Sequence, residues 1–407
     1  MEHTPAQARP AHSEGVEYSS MSSWRRMLPR WARAWGPAWL VMIADVDAAS
    51  ILTGVESGVA YQYNLIGVIV LLTIPLFFVQ EATGRIGAVT GKGLGELARL
   101  TQSRNVGAVI AVPMAISDVA TYIAEYAAIA LGLGLLGVPL VLSLPVAFLF
   151  HIGLVARGKY VWAERILLAI SAVFVLSVGW AMVMRGFLPY NPVYFSAAPP
   201  FLFLVAANAG AVVMPFMLFF QSSATALKPG STVTGVRRET LIGALVSEFL
   251  MVGFVMLGAG MPAHADLFTT SGVAAALGTV GGALLTEAFA LGLVSSAFLA
   301  LVVVSLGSAW GFVEALGLAK SRTFWVYALE SIPAVVVPFV YPHPLTIVLT
   351  FMVLLVFLLI GPGILVGVLA SDRKVMGDQA SSLPWRVAYW ASLSSIVLCG
   401  VVALMPW

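Results

Sequence analysis

Apolar runs long enough to cross a bilayer follow one another along almost the whole chain, and nothing else in the sequence constrains the fold so strongly. A helix needs about 20 apolar residues to traverse the hydrocarbon core. Eleven such stretches are readable, at 36–61, 64–84, 106–136, 138–156, 162–185, 199–221, 239–260, 280–306, 324–341, 344–370 and 386–406. Of the 407 residues, 60% are hydrophobic and only 10% charged, against about 45–50% and 25% in a soluble domain. A water-soluble globule of this composition would expose mostly apolar surface. The expected fold class is an all-α polytopic membrane protein of about eleven transmembrane helices, embedded in a lipid bilayer. The single cysteine, Cys399, excludes a disulfide scaffold and any Cys-based metal cluster. A formal charge of +2 gives no reason to expect a nucleic-acid partner.

Lys and Arg set the orientation, because cytoplasmic loops carry the excess of positive charge. With the amino terminus in the cytoplasm, every basic residue except Arg185 falls on the inner side. They gather before the first span (Arg9, Arg25, Arg26, Arg30, Arg33) and in alternate loops, such as Arg85, Lys92, Arg99 and Arg104 after the second. A wrong span count would scramble this asymmetry. The expectation is a multi-pass protein of a plasma or inner membrane with its carboxyl terminus outside. Residues 1–33 read as a flexible cytoplasmic tail without a secretory signal, and 34–407 as one transmembrane transporter domain. The outer loops 187–198 and 259–279 leave no room for a second folded domain.

Two spans carry signals that an ordinary membrane helix avoids. The first reads Ala44-Asp45-Val46-Asp47-Ala48-Ala49-Ser50 in its middle, followed by Thr53, Gly54 and Glu56. One carboxylate at the bilayer centre costs about 2.5–3.5 kcal/mol on insertion scales. In a continuous helix, residues two apart point about 200° apart, so Asp45 and Asp47 would diverge. Unwinding lets both approach one site and frees carbonyls beside them. The sixth span reads Ala209-Gly210-Ala211-Val212-Val213-Met214-Pro215-Phe216. Pro215 has no N–H to give the Ala211 carbonyl four residues earlier, and its ring clashes there. Transporters built from inverted repeats place their sites at two such discontinuous helices, one in each half. Spans one and six are corresponding members of a five-plus-five arrangement.

Other intramembrane acids are functional candidates by default: Glu125 in span three with Asp118 seven residues earlier on roughly the same face, and Glu248, Glu287 and Glu330 in spans seven, eight and nine. Glu81 and Arg85, four apart at the inner end of span two, read as a local ion pair or inner gate. His151 is expected at the membrane interface rather than on a metal. No His-Glu-x-x-His, Gly-x-Ser-x-Gly or phosphate-cradling Gly-Lys-Ser/Thr motif is present, so enzyme chemistry and a resident cofactor are not expected.

At the level of motifs the chain resembles the Nramp metal-ion transporters, as a divergent, bacterial-type member. Gly36-Pro37, Asp47, Gly58, Tyr61, Tyr63 and Leu65 match the first span of that family. Gln80, Arg85, Gly87, Thr90-Gly91-Lys92, Leu94 and Glu96 match the second. Met214-Pro215 matches its sixth-span Met-Pro-His, Ile332-Pro333-Ala334 fits span nine, and Ser371-Asp372-Arg373-Lys374-Val375-Met376-Gly377 matches the segment after span ten. The resemblance runs from about 36 to 378. It implies a leucine-transporter-type fold, with two inverted five-helix repeats, discontinuous helices 1 and 6 and a peripheral helix. It also implies secondary transport of Mn2+ or Fe2+ by alternating access, with protons as symported partners.

The resemblance implies a metal site at Asp47, Ser50, Ala211 and Met214, with Asp45 as an extra carboxylate, and a proton route through Glu125 and Asp118. The site motifs match in part. The family's Asp-Pro-Gly-Asn is Asp47-Ala48-Ala49-Ser50 here, which exchanges an amide oxygen for a hydroxyl. Its span-six histidines fall on Phe216 and Gln221, its span-three Asp on Tyr122, and a span-ten Gln on Ile360. Thioether sulfur favours softer metals, whereas carboxylate, carbonyl and water suit Mg2+, Ca2+ and Mn2+. A ligating Met214 therefore penalises Mg2+ and Ca2+ relative to Mn2+, Fe2+ or Cd2+. The lost histidines and Asp leave two alternatives open: a Mg2+ transporter without proton coupling, and a carrier of a non-metal solute on the same fold.

Overall fold

Each apolar run becomes helix, and the ends fall where the local chemistry predicts. The computed structural model describes residues 35–156, 160–189, 191–341 and 348–405. The expected tail 1–33 lies outside the described residues, as do Arg157 and Lys159. The first span is two half-helices, α1 (Pro37–Ala44) and α2 (Ala48–Tyr61). Then come α3 (Ile66–Thr90), a short helix α4 (Leu94–Thr101), α5 (Arg104–Leu135), α6 (Leu140–Ala156) and α7 (Tyr160–Arg185). The sixth span is again split, into α8 (Pro199–Val212) and α9 (Pro215–Leu227). It is followed by α10 (Val233–Gly258), α11 (Thr270–Val280), α12 (Gly282–Leu316) and α13 (Thr323–Val340). The tenth span comprises α14 (Val348–Leu358) and α15 (Ile360–Ser371). A turn, α16 (Arg373–Met376), precedes the eleventh, α17 (Leu383–Ala403).

Proline opens α1, α8 and α9 in their first turn, where a missing N–H costs no intrahelical bond. Ser103 and Thr232 cap α5 and α10 by accepting from Val106 N and Gly235 N, which satisfies a donor the helix start leaves free. Gly91 and Gly317 end α3 and α12 at φ +63° and +65°, a conformation costly for a residue with a Cβ.

Nine helical stretches among the described residues are long and apolar enough to cross a membrane. Two features reconcile them with eleven spans. The 17-residue α6 falls just short, and the break in span one leaves α2 running almost directly into α3. Two elements went unread in the sequence. α11 occupies part of what reads as an irregular outer loop, and α4 follows the Thr90-Gly91-Lys92 turn. α12 also runs ten residues past the expected end at 306.

The helix pairs carry the signature of two inverted repeats. α5 packs most extensively on α12, and α3 on α10, which are spans three with eight and two with seven. Each pair maps onto itself when the five-helix halves are exchanged. Span one packs on span seven through α1 and α2, and span six packs on span two through α9 and α3, which are exchange partners of one another. The result is an all-helical polytopic membrane protein of the leucine-transporter type. Gly36–Trp407 forms one compact unit.

Candidate metal-ion site

The half-helices of the two interrupted spans pack on one another, α8 on α2 and α9 on α1, which puts the broken turns Asp45–Asp47 and Val213–Met214 on neighbouring spans. Val213 and Met214 are extended, with φ/ψ of −136°/105° and −101°/151°. Because residue 215 is proline, the Ala211 carbonyl has no helical donor. Met214 is fully buried at the start of α9, with its N–H directed to the Met217 sulfur at 3.3 Å.

Asp47 is the N-cap of α2. Its Oδ1 accepts from Ser50 N at 2.7 Å, while its Oδ2 is buried and without a hydrogen-bond partner. The Ser50 hydroxyl donates to the Asp45 carbonyl at 2.7 Å, so it ties the break together and keeps its lone pairs for another partner. The Val46 carbonyl accepts from Ser296 of α12. Glu125 of α5 reaches the same turn, where both carboxylate oxygens accept from Ala48 N at 3.3 Å. Asp47 and Glu125 thus both sit at the positive, N-terminal end of α2, where exposed N–H groups favour negative charge.

Asp45 is placed differently. It is the C-cap of α1, and its Oδ2 accepts from Ser247 of α10 at 3.0 Å. Its Oδ1 has no partner, and neither oxygen of the adjacent Glu248 has one. Among the described residues no three His, Cys, Asp or Glu side chains gather closely enough to hold a metal ion. A metal at the breaks would need the mixed donor set of Asp47, Ser50, Ala211 and Met214. Of the sequence candidates, Asp47 and Ser50 lie at the break of span one and Ala211 and Met214 at the break of span six, while the Asp45 side chain turns toward α10.

Away from the breaks, a polar seam follows α5. Tyr122 donates to Glu330 Oε2 of α13 at 2.8 Å, and Ser308 of α12 donates to its Oε1 at 3.3 Å. Asp118 is buried one turn from Tyr122, with its Oδ2 unpartnered. Glu287 is exposed in the second turn of α12, near the start of the span rather than in its middle. His151 is fully buried and not interfacial. Its ring bonds Tyr126 at 2.8 Å and Ser305 at 3.1 Å, because α6 inserts it between α5 and α12. Phe216 is packed in the core, and Gln221 donates to Thr240 at 3.0 Å.

A small cavity of about 30 Å3 reaches Ala48 beside the break. Its walls are apolar, with Leu52 and Val55 of α2, Leu131 of α5 and Leu293 of α12, and Leu267 and Val273 of the loop and helix above. The other end of α1 meets a network of hydrogen bonds and ion pairs. Glu239 accepts from Trp39 N of α1 at 3.0 Å and pairs with Lys228 at 3.4 Å. Nearby, Glu81 pairs with Arg85 at 3.1 Å and with Arg237 at 2.9 Å. Arg85 also donates to the Gln379 carbonyl at 2.6 Å and to Ser381 at 2.9 Å, and Arg237 lies 4.2 Å over the Trp385 ring. The expected Glu81–Arg85 pair is therefore part of a network joining span two, span seven and the segment before span eleven. Sequence reading missed Trp39, Lys228, Arg237, Glu239, Ser247 and Ser296. Their partners lie far away in the chain, and no local pattern marks them.

The same architecture occurs in known proteins. A manganese transporter from Eremococcus coleocola superposes with a TM-score of 0.77 at 19% identity, over 97% of this chain and 88% of that one. MHP1, a nucleobase-cation-symport-1 family transporter in a closed conformation, superposes at 0.59 with 13% identity, over 91% and 92%. At these identities the likeness is one of fold. In sequence, the divalent metal cation transporter MntH of Bradyrhizobium diazoefficiens is 26% identical over 412 aligned positions, covering 94% of this chain and 89% of that protein. MntH of Listeria innocua is 23% identical over 399, covering 91% and 88%. The profile of the family described as "Natural resistance-associated macrophage protein-like" matches residues 38–406. The chain therefore belongs to the Nramp family of membrane transporters, which are not enzymes, as a distant homologue of bacterial divalent metal cation transporters.

Proposed function

We propose that the chain carries a divalent transition-metal cation, Mn2+- or Fe2+-like, by alternating access across the two breaks. The observation that carries this reading is the pairing of donors there. A buried, half-unpartnered Asp47 carboxylate lies on one broken span, and a fully buried Met214 sulfur beside the undonated Ala211 carbonyl lies on the other. Asp47 supplies charge, the Ser50 hydroxyl and Ala211 carbonyl supply neutral oxygens, and the sulfur biases the set toward softer ions. Mg2+ sheds water reluctantly and gains nothing from a thioether, so the Mg2+ alternative is disfavoured.

The distribution of Lys and Arg supports an amino terminus in the cytoplasm and a carboxyl terminus outside. The cavity above Ala48 is then the outer approach, and the Glu239 and Glu81 networks close the inner side. Transport requires those networks to part while the outer cavity closes. Glu125 and Asp118 remain the residues proposed to move a proton. Phe216, Gln221 and Tyr122 fall where the family resemblance implies His and Asp, which supports a weak proton coupling.

The test is uptake into proteoliposomes with Mn2+, Mg2+ and Ca2+ side by side, Cd2+ as competitor, and an internal pH dye. Saturable Mn2+ uptake, blocked by Cd2+ and abolished by Asp47→Ala, with little acidification, is expected. Robust acidification stoichiometric with Mn2+ entry contradicts weak coupling. Uptake of an organic amine that is indifferent to all metals identifies a solute carrier instead.

A further inference from the structure

We infer that Asp45, Glu248 and Ser247 form a second cation site, built from oxygen alone and distinct from the sulfur-bearing pair of breaks. The argument begins with what compensates each buried acid at the interruption of span one. Asp47 and Glu125 are held by N–H groups at the start of α2. Asp45 stands at the other side of the break, on the last turn of α1, where the helix end is negative and disfavours a carboxylate.

Ser247 gives Asp45 one hydrogen bond. Nothing else does, and the next residue of α10 adds a second carboxylate rather than a base. Asp45 and Glu248 are each 2% exposed. Three of their four oxygens have no partner, and no Lys or Arg among the described residues pairs with either. Glu248 directly follows Ser247, the residue that bonds Asp45, so both acids belong to the contact of α1 with α10.

Buried charge is tolerated when it is paired or coordinates an ion. Two carboxylates, a hydroxyl and the negative end of a helix are together a cradle for a positive charge. The donors are all hard oxygens, which selects Na+, Ca2+ or Mg2+ over thiophilic metals. A cation there would lie against α1, the half-helix that Glu239 ties at its other end, and would bind it to α10. Occupancy would couple to the movement of the inner half of span one, as a co-ion or a structural ion.

The experiment uses the full chain in detergent carrying Asp47→Asn, which disables the substrate site proposed above. Equilibrium binding of 22Na+, 45Ca2+ and 28Mg2+ is measured separately. One of the three is expected to bind with a stoichiometry near one. Binding is expected to weaken at least tenfold on adding Asp45→Asn or Glu248→Gln, with thermal unfolding showing that the variants remain folded. If none of the three ions binds to Asp47→Asn, the acids share protons instead and the inference is overturned. Binding that survives both added substitutions overturns it as well. Loss of Mn2+ binding on Asp47→Asn reports on the substrate site alone, so the two readings fail separately.

Discussion

Replacing Glu81 with Gln removes one negative charge from between two guanidinium groups. Glu81 and Arg85 have side chains 1% and 4% exposed, so their pair is a buried one. Breaking a buried pair by removing one partner costs about 3–5 kcal/mol, because the remaining charge is left uncompensated. Two further contacts place this case at the lower end. Arg85 keeps its bonds to the Gln379 carbonyl and Ser381 after the substitution. Arg237 is 40% exposed, and an exposed partner adds at most about 1 kcal/mol. Glu81→Gln is therefore expected to destabilise the fold by about 3 kcal/mol. Arg85→Met should cost a similar amount, and the double variant less than their sum. Unfolding free energies in bicelles, combined in a double-mutant cycle, measure the coupling. A coupling below about 0.5 kcal/mol, the level of scatter between independent sites, would refute the view that this network holds spans two, seven and eleven together.

Met214→Ala should narrow the preference for Mn2+ over Ca2+ and Mg2+ at least tenfold while Mn2+ uptake persists; an unchanged preference in competition assays shows that the sulfur is not a ligand. Gly58→Ala would place a methyl group against the Val255 carbonyl and the Ala259 amide where α2 crosses α10. An overpacked contact of this kind costs about 1–3 kcal/mol, read as a lower melting temperature, and an unchanged one would show that the crossing yields freely. His151→Phe strands the buried Tyr126 hydroxyl at about 1–3 kcal/mol. Adding Tyr126→Phe should restore part of that stability, and failure to do so would place the loss elsewhere.

The spans and both breaks were legible because their signals are local. Pro215 inside an apolar run forbids a hydrogen bond to Ala211 whatever surrounds it, and Asp45-Val46-Asp47 cannot face lipid as one continuous helix. The helix pairing was legible only through the resemblance. The side-chain partners were not legible at all. Ser247 meets Asp45 across 202 positions, Glu239 meets Trp39 across 200, and Ser296 meets Val46 across 250. Nothing in the sequence around any of the three points to its distant partner. For the same reason His151 read as interfacial, since an isolated His near a span end gives no sign of Tyr126 and Ser305 on two other helices. Asp45 and Asp47 looked like one pair two residues apart. The break instead sends one to the end of α1 and the other to the start of α2, environments of opposite polarity.

The most direct measurement of the central claim is anomalous X-ray diffraction at the manganese edge from crystals of the full chain soaked in Mn2+. A single strong peak between the Asp47 carboxylate and the Met214 sulfur, lost in Asp47→Ala, is the predicted result. A peak elsewhere in the molecule, with the space between those two side chains empty, would contradict the account.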